Sequence, residues 1–353
     1  MASTICNQQN DDVPPPKAFT VTSTVSPLPS RLLIHDTPAA WTGAQFNGVT
    51  QTPQGLTVDG PEGTILSPTL TALPFDQLLP SWNATLTAHG TCTVDVRVRR
   101  TSGDWTRWWT FGTWTPSAER TSLNHQQDED GRVLTDTLSL QFHAEHFQYR
   151  VHLTGQDSTL RLLAFCTTDH AQQQATVPRL GRPEHWGTEL ALPQRSQMVH
   201  EGGSGWCSPT CLSMVLHSLG TDHSVPETAA AVFDQAYGGA GNWAFNVAHA
   251  GQLGYRAYLT RLLDLQAAED ELARGVAPIL SVAWQAGELP GAPVTSSDGH
   301  LVVLRGFDSQ GDPVIHDPAA STDAEVRRVY PRQAFEQAWL GHSGGLAYLI
   351  SPA

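Results

Sequence analysis

The most informative pattern in the chain lies at residues 205–216, which read GWCSPTCLSMVL. Pro209 suits the first turn of a helix, where its missing N–H is not needed, and apolar residues recur at helical spacing until Gly220. Cys207 therefore lies at the amino end of a predicted apolar helix. Unpaired backbone N–H groups and the helix dipole at that end favour a thiolate, so Cys207 is a candidate nucleophile.

Three other side chains supply the groups that such a nucleophile needs. His300 opens a strongly β-prone run and is a candidate general base. Asp317 ends a short predicted strand just before Pro318, where its carboxylate is suited to orient the histidine. Gln197 lies ten residues before the cysteine and offers an amide N–H to the oxyanion that forms when a thiolate attacks a carbonyl.

These four residues resemble the catalytic set of the papain-like cysteine peptidases, in particular the double-glycine leader peptidase type. The resemblance covers about residues 190–353 and includes the stand-alone bacterial peptidase C39-like proteins, which carry a β-rich N-terminal domain instead of a transporter. The matching positions are Gln197, Cys207 with Pro209, Gly299 with His300, and Asp317 with Pro318.

The resemblance implies a cysteine peptidase that hydrolyses peptide bonds through a Cys-His-Asp triad and a thioester acyl-enzyme, with no cofactor. In that mechanism Gln197 and the backbone N–H of Cys207 hold the oxyanion. The sequence departs from the family pattern in two places. Ser208 replaces the usual glycine after the cysteine, and residues 201–204 lengthen the segment before it.

Other chemistries fit the sequence less well. Cys211 lies one turn further into the helix, where fewer free N–H groups stabilise a thiolate, so we expect it to pack in the core. The histidines show no paired zinc-ligand spacing and there is no second cysteine pair, so no metal site is predicted. Ser204 lacks the final glycine of a serine nucleophile elbow.

Residues from about 30 to 168 show the pattern of strands without convincing helices. Apolar residues alternate with polar ones over 92–98 and 147–153, which predicts an antiparallel β-sandwich. Tryptophans cluster at 105–114; they either fill the core of the sandwich or stack on a carbohydrate. By alternation, Trp105 and Trp109 are expected on one face and Trp108 on the other.

After residue 194 the pattern changes to helices followed by strands, which is an α+β arrangement. Ser224, Asn242 and Asp264 are predicted helix caps, and strands are predicted near 279–284, 301–307, 314–317 and 346–350, with a late helix near 331–339. The predicted organisation is a flexible tail at 1–28, a β-sandwich accessory domain at 29–170, a linker at 171–193 and a papain-like peptidase domain at 194–353.

Composition limits the partners. A formal net charge of −14, spread along the chain, argues against nucleic acid and anionic membranes as partners. No window is apolar enough for a membrane span, and the start does not resemble a signal peptide. We therefore expect a peptide or protein substrate, a carbohydrate or cell-surface ligand as a candidate for the N-terminal domain, and a cytoplasmic location, with an extracellular one as the alternative.

Two alternative functions remain open at this point. The same triad serves an acyltransferase or amidase, in which an amine or thiol replaces water as the second nucleophile. A binding protein that has lost turnover also retains a peptidase-like domain, although the presence of all four chemical groups counts against it.

Overall fold

The structure is a computed structural model that describes residues 30–170 and 179–353. The predicted flexible tail at 1–28 and part of the predicted linker, 171–178, lie outside the described residues. The described chain begins with a β-rich region and continues with a region of helices and strands. This two-part layout confirms the coarse fold prediction.

The N-terminal strands form one antiparallel sheet of eleven strands. The long strand β10 pairs with both β6 and β7, and β6 pairs with both β10 and β11. These shared strands join all the strand pairs into one hydrogen-bonded sheet. The β-rich, antiparallel prediction is confirmed, and the layering as a sandwich stays a prediction. The strands are β1 Ser30–His35, β2 Gln45–Asn47, β3 Val49–Thr52, β4 Gly55–Val58, β5 Glu62–Leu66, β6 Leu70–Thr85, β7 Cys92–Val98, β8 Trp109–Trp114, β9 Gly131–Leu134, β10 Thr137–Thr154 and β11 Thr159–Thr168.

Alternation predicts the buried face of this sheet correctly. The alternating apolar residues of β7 and of the second half of β10 are fully buried, as period-two side-chain geometry requires. The tryptophan assignment is wrong in part: Arg97 stacks on both Trp105 and Trp108, while Trp109 is buried. The reason is that β8 begins at Trp109, so strand alternation does not extend back to residue 105.

The C-terminal region contains helices and a seven-stranded antiparallel sheet of order β13-β18-β14-β15-β16-β17, with β12 also paired to β15. Each predicted helix and strand is present within a few residues. The elements are β12 Thr188–Glu189, α1 Cys207–Ser218, α2 Val225–Val232, α3 Trp243–Gln252, β13 Arg256–Arg261, α4 Leu265–Ala273, β14 Ile279–Trp284, β15 Ser297–Phe307, β16 Pro313–His316, β17 Arg327–Val329, α5 Arg332–Ser343 and β18 Leu346–Ser351.

The predicted caps form. Ser224 and Glu227 make both bonds of a capping box at α2, the Asn242 side chain accepts from the Phe245 N–H at α3, and Asp264 accepts from a backbone N–H at α4. Each cap satisfies a backbone donor that the first turn of a helix leaves without a partner. The caps therefore fix where these helices begin.

Residues 179–189 of the predicted linker lie against the C-terminal region. Arg179 pairs with Asp264 at 2.7 Å, and Trp186 Nε1 donates to Glu269 at 3.0 Å. Strands β12, β13 and β17 were not predicted, because they are short or amphipathic edge strands whose pairing depends on distant residues.

The two regions share an extensive contact. Phe245 of α3 packs against Trp82 and Trp114 of the N-terminal sheet, with ring centroids 6.3 and 5.5 Å apart. The Asn83 side chain makes two hydrogen bonds, of 2.7 and 2.9 Å, to the backbone of Ala257 on β13. A buried amide that pairs with a strand backbone fixes the relative position of the two regions.

No helix in the described ranges is long and apolar enough to cross a membrane.

Candidate active site

Helix α1 begins at Cys207, and its N-cap residue, Trp206, makes no side-chain cap hydrogen bond. Pro209 in the first turn needs no acceptor, whereas the neighbouring backbone N–H groups are directed out of the helix end. The Cys207 side chain is 1% exposed. Cys207 thus lies at the positive end of the helix dipole, where negative charge on a sulfur or an oxyanion is favoured.

Cys207 lines a cavity of about 550 Å³ between the two regions of the chain. The loop before Cys207 and the loop between α2 and α3 form two of its walls. Its described lining residues are Thr135, Asp136, Gly202, Ser204, Gly205, Trp206, Cys207, Phe233, Tyr237, Gly238, Gly239, Ala240, Gly241, Trp243, Ser281, Gly299, Leu301 and His342.

The Cys207 sulfur takes part in a disulfide in this structure. A thiolate is the nucleophilic form of cysteine, so any reaction at this sulfur begins from the reduced protein. The thiols of Cys92, Cys166 and Cys211 are free and buried. Burial raises the pKa of all three, which makes them poor nucleophiles near neutral pH.

His300 and Asp317 form a fully buried pair, with His300 Nε2 2.8 Å from Asp317 Oδ1. The second carboxylate oxygen accepts from the Tyr330 hydroxyl at 2.7 Å, and the Ala319 N–H donates to Oδ1 at 3.0 Å. Burial alone acts to raise the pKa of Asp317, but the charge of His300 and these hydrogen bonds outweigh it and hold the pKa below its usual value. Asp317 is therefore an anion.

An ionised carboxylate only accepts hydrogen bonds, so the proton of the His300 ring lies on Nε2. The other ring nitrogen, Nδ1, is buried and has no hydrogen-bond partner in the described part of the chain. Trp284 packs edge-on against the ring, with centroids 5.8 Å apart. When the ring is neutral, the proton on Nε2 leaves a lone pair on Nδ1 that no described group shares, and a general base needs such a lone pair.

Helix α1 packs on the strand that carries His300. The Cys211 thiol, one turn after Cys207, donates to the carbonyl oxygen of Leu301 at 3.2 Å. Gly299 and Leu301, on either side of His300, line the same cavity as Cys207. The structure therefore brings Cys207 and the His300 segment to one cavity, and it places Cys211 in the core as predicted.

Gln197 is fully buried. Its backbone N–H donates to the carbonyl of Pro318 at 2.9 Å, which places it beside the turn that follows Asp317. Its side-chain Nε2 donates to the carbonyls of Gly203 and Ser204, at 3.1 and 2.7 Å. Both amide protons are used in these bonds. In this conformation Gln197 holds the loop that leads to Cys207, and it is not among the residues that line the cavity.

The departure at Ser208 has a structural reason. Its hydroxyl lies 2.9 Å from the Tyr348 hydroxyl, and both groups are buried. A glycine at this position leaves the Tyr348 hydroxyl without that partner, and a buried hydroxyl without a partner is costly. Ser208 therefore anchors the first turn of α1 to β18.

His316 points away from this site. Its Nδ1 donates to the Pro193 carbonyl at 3.0 Å, and its Nε2 accepts from the Arg305 guanidinium at 2.7 Å. Burial and the charge of Arg305 lower the pKa of His316 to about 4. Both nitrogens are occupied, so His316 is structural.

Tyr330 and Asp136 were not predicted as site residues. Tyr330 is separated from Asp317 by 13 residues, and the hydrogen bond between them depends on how the chain returns after β17. Asp136 lies in the hairpin between β9 and β10, in the other region of the chain, and lines the cavity with Cys207. The sequence carries no local signal for either contact.

One group of described side chains has the geometry for a metal ion. The ligand atoms of Asp76, His143 and Asp169 lie within 4.8 Å of one another. They belong to the N-terminal sheet and its edge, and none of them is among the residues that line the cavity.

Comparison with known proteins gives two family matches. Residues 189–346 match the model described as "Peptidase_C39 like family", and residues 32–167 match that of the "Peptidase C39 N-terminal domain". The search of curated proteins found no match.

Two solved structures show weak likeness to the chain. One, described as a candidate C39-like peptidase from Bacillus anthracis, has 16% identity and a TM-score of 0.33, covering 50% of this chain and 94% of that one. The other is from carbohydrate-binding modules of the β-sandwich super family, with 13% identity and a TM-score of 0.18, covering 40% of this chain and 56% of that one. At these TM-scores neither likeness adds to the assignment.

Proposed function

Because the chain belongs to the peptidase C39-like family and carries a C39 N-terminal domain, we propose that it is a cysteine peptidase that hydrolyses peptide bonds. In this proposal Cys207 is the nucleophile, His300 the general base and Asp317 the residue that orients the base. The observation that carries the proposal is the buried His300–Asp317 pair. The second ring nitrogen of His300 has no partner among the described residues, and His300 lies on the strand against which the Cys207 helix packs.

The proposed reaction begins with the reduced thiol of Cys207. His300 Nδ1 takes the thiol proton, and the thiolate attacks the carbonyl carbon of the peptide bond. The imidazolium then donates its proton to the leaving nitrogen, the C–N bond breaks and a thioester remains. Water attacks the thioester with His300 again acting as base, which releases the carboxylic acid and restores the thiol.

The negative charge that appears on the carbonyl oxygen requires hydrogen-bond donors. The backbone N–H groups at the uncapped start of α1 are suited to this role, because the helix dipole favours an anion there. Gln197 remains the proposed side-chain donor. Its Nε2 donates to Gly203 and Ser204, so donation to substrate requires that it release one of these carbonyls.

Asp317 stabilises the imidazolium that forms during the reaction. Its hydrogen bond fixes the proton on His300 Nε2, and Tyr330 fixes the carboxylate in turn. The proposed fold of this region is papain-like α+β, with the nucleophile on a helix and the base on an antiparallel sheet. The domain boundaries predicted from the sequence are part of the same proposal.

The test is peptide cleavage by the reduced full chain, measured by mass spectrometry on a randomised peptide library. We expect new carboxyl termini with the wild-type protein and none with Cys207→Ala. Cys211→Ser, which changes the same residue type one turn along the helix, is the matched control and should retain cleavage.

Addition of an amine acceptor separates hydrolysis from acyl transfer, because a transferase yields amide products in place of free acids. Reduced protein that binds peptides without forming either product would contradict an enzymatic function.

A further inference from the structure

We propose that the N-terminal domain supplies a specificity residue to the active site, and that Asp136 binds a cationic group of the substrate. The chemistry that it recognises is an ammonium or guanidinium ion, from a lysine or arginine side chain or from a free amino terminus. This inference rests on the proposed function, since it names the substrate class of the same cavity.

Asp136 reaches the cavity on a tight hairpin. Strands β9 and β10 pair directly at Leu134 and Thr137, which leaves Thr135 and Asp136 as the two residues of the loop. Thr135 has a φ of +55°, a conformation that a β-branched residue rarely adopts. Both loop residues line the cavity with Cys207. The hairpin therefore holds a carboxylate in a fixed place on the cavity wall.

The hydrogen bonds of Asp136 hold the side chain but leave it able to accept more. Its Oδ2 accepts from the Trp243 N–H at 2.8 Å, and its Oδ1 accepts from the Thr137 hydroxyl at 3.2 Å. A carboxylate has about four acceptor positions, so two described side-chain bonds leave capacity for a ligand. The two side chains satisfy different donors at the start of α3, since Asn242 accepts from the Phe245 N–H and Asp136 from the Trp243 N–H.

Within the described cavity lining, no cationic side chain of lysine or arginine faces Asp136, although its charge acts on Arg261 and its carboxylate accepts from the first N–H of α3. Asp136 takes part in none of the ion pairs found among the described residues, and none of the described lining residues is lysine or arginine. Asp136 is also the only carboxylate among them. Burial raises its pKa to about 7, against the hydrogen bonds that lower it.

A buried carboxylate with a raised pKa lowers the stability of the folded protein near neutral pH, and groups of this kind cluster at functional sites. A bound cation would favour the ionised form and occupy the free acceptor positions. A neutral or acidic substrate group would do neither, and an acidic group would be repelled.

The experiment compares cleavage of matched peptide libraries by the reduced full chain. In one library lysine and arginine are present, and in the other they are replaced by norleucine and citrulline, which keep the size and remove the charge. Each library is made with free and with acetylated amino termini. These four arms distinguish side-chain recognition from recognition of the amino terminus.

We expect the wild-type protein to prefer the cationic group by about tenfold or more in kcat/KM. Asp136→Asn should bring this ratio close to one, because asparagine still accepts from the Trp243 N–H but carries no charge. Asp130→Asn, which changes a buried carboxylate of the same domain that pairs with Arg100, should leave the ratio unchanged. An unchanged ratio in Asp136→Asn, or no preference in the wild-type protein, overturns the proposal.

Binding to Cys207→Ala separates this inference from the proposed function. If no library is cleaved, the proposed function fails, and fluorescence anisotropy of the labelled libraries still measures the preference. Tighter binding of the cationic libraries, lost when Asp136→Asn is added, supports the inference. Equal dissociation constants for cationic and neutral libraries overturn it. This comparison uses Cys207→Ala with Asp136 unchanged, so it does not depend on the folding of an Asp136 variant.

Discussion

Two histidines on neighbouring strands, His300 on β15 and His316 on β16, are both fully buried and yet differ in chemistry. His300 donates to the carboxylate of Asp317 and keeps its other nitrogen unshared among the described residues. His316 accepts from the guanidinium of Arg305 and uses its other nitrogen on a backbone carbonyl.

Because both rings are buried, the difference shows that the partner also determines what a buried histidine can do. An adjacent carboxylate stabilises the imidazolium that a general base must become. Burial and an adjacent guanidinium both oppose that charge, and together they lower the pKa of His316 and keep its ring neutral. The two residues therefore serve as a catalytic candidate and its matched control.

The largest expected effect follows substitution of each histidine by glutamine, which keeps hydrogen-bonding groups without a base. His300→Gln should lower kcat by at least about 10⁴-fold, because the thiol loses its proton acceptor. His316→Gln should keep kcat within a few-fold of the wild-type value. Steady-state kinetics on a cleaved library peptide, with circular dichroism to check the fold, measure both. Equal losses of kcat in the two variants would show that the two histidines do not have different roles in the reaction.

A smaller loss is expected when the orienting group changes. Asp317→Asn should lower kcat by roughly 10²–10⁴-fold, because an amide neither fixes the His300 tautomer nor stabilises the imidazolium. Tyr330→Phe should lower it less, since Asp317 keeps its bonds to His300 and to Ala319. An Asp317→Asn protein with wild-type kcat would remove Asp317 from the proposed triad.

The smallest expected effect is on the pH dependence of the free energy of unfolding, and it concerns His316, the structural histidine of the two. The folded-state pKa of His316 is lowered to about 4, so the unfolded chain takes up a proton first as the pH falls. The stability contribution of neutral His316 is present above about pH 6.5 and is lost between 6.5 and 4, at most roughly 3 kcal/mol.

Urea unfolding at pH 7 and pH 5 measures this change. The wild-type free energy of unfolding should decrease at the lower pH, and the decrease should be smaller in His316→Gln. The buried His249, whose pKa is also lowered to about 4, contributes a slope of the same sign and remains in both proteins. Identical pH slopes in the two proteins would show that the His316 ring is not held neutral.

Local chemistry made much of this molecule predictable. Proline at a helix start, glycine after its end and apolar spacing located α1, and cap residues located α2, α3 and α4. Alternation located the buried residues of β7 and β10. The opposite directions of His316 and Asp317 also follow from strand geometry.

The unpredicted parts depend on contacts between distant residues. The bond from Tyr330 to Asp317 forms only once β17 pairs with β16. The Asp136 hairpin meets the cavity only because α3 packs on the N-terminal sheet, as Trp243 shows by donating its N–H to Asp136. The predicted accessory domain thus contributes two residues, Thr135 and Asp136, to the cavity wall, and its predicted ligand stays a prediction.

Labelling of the reduced full chain with an epoxide cysteine-peptidase probe measures whether His300 activates Cys207. Peptide mapping by mass spectrometry should find the adduct on Cys207, well ahead of Cys211 on the same helix. The rate should fall strongly in His300→Gln and stay near the wild-type rate in His316→Gln. An adduct mainly on Cys211, or equal rates of Cys207 labelling in the two histidine variants, would show that His300 does not activate Cys207.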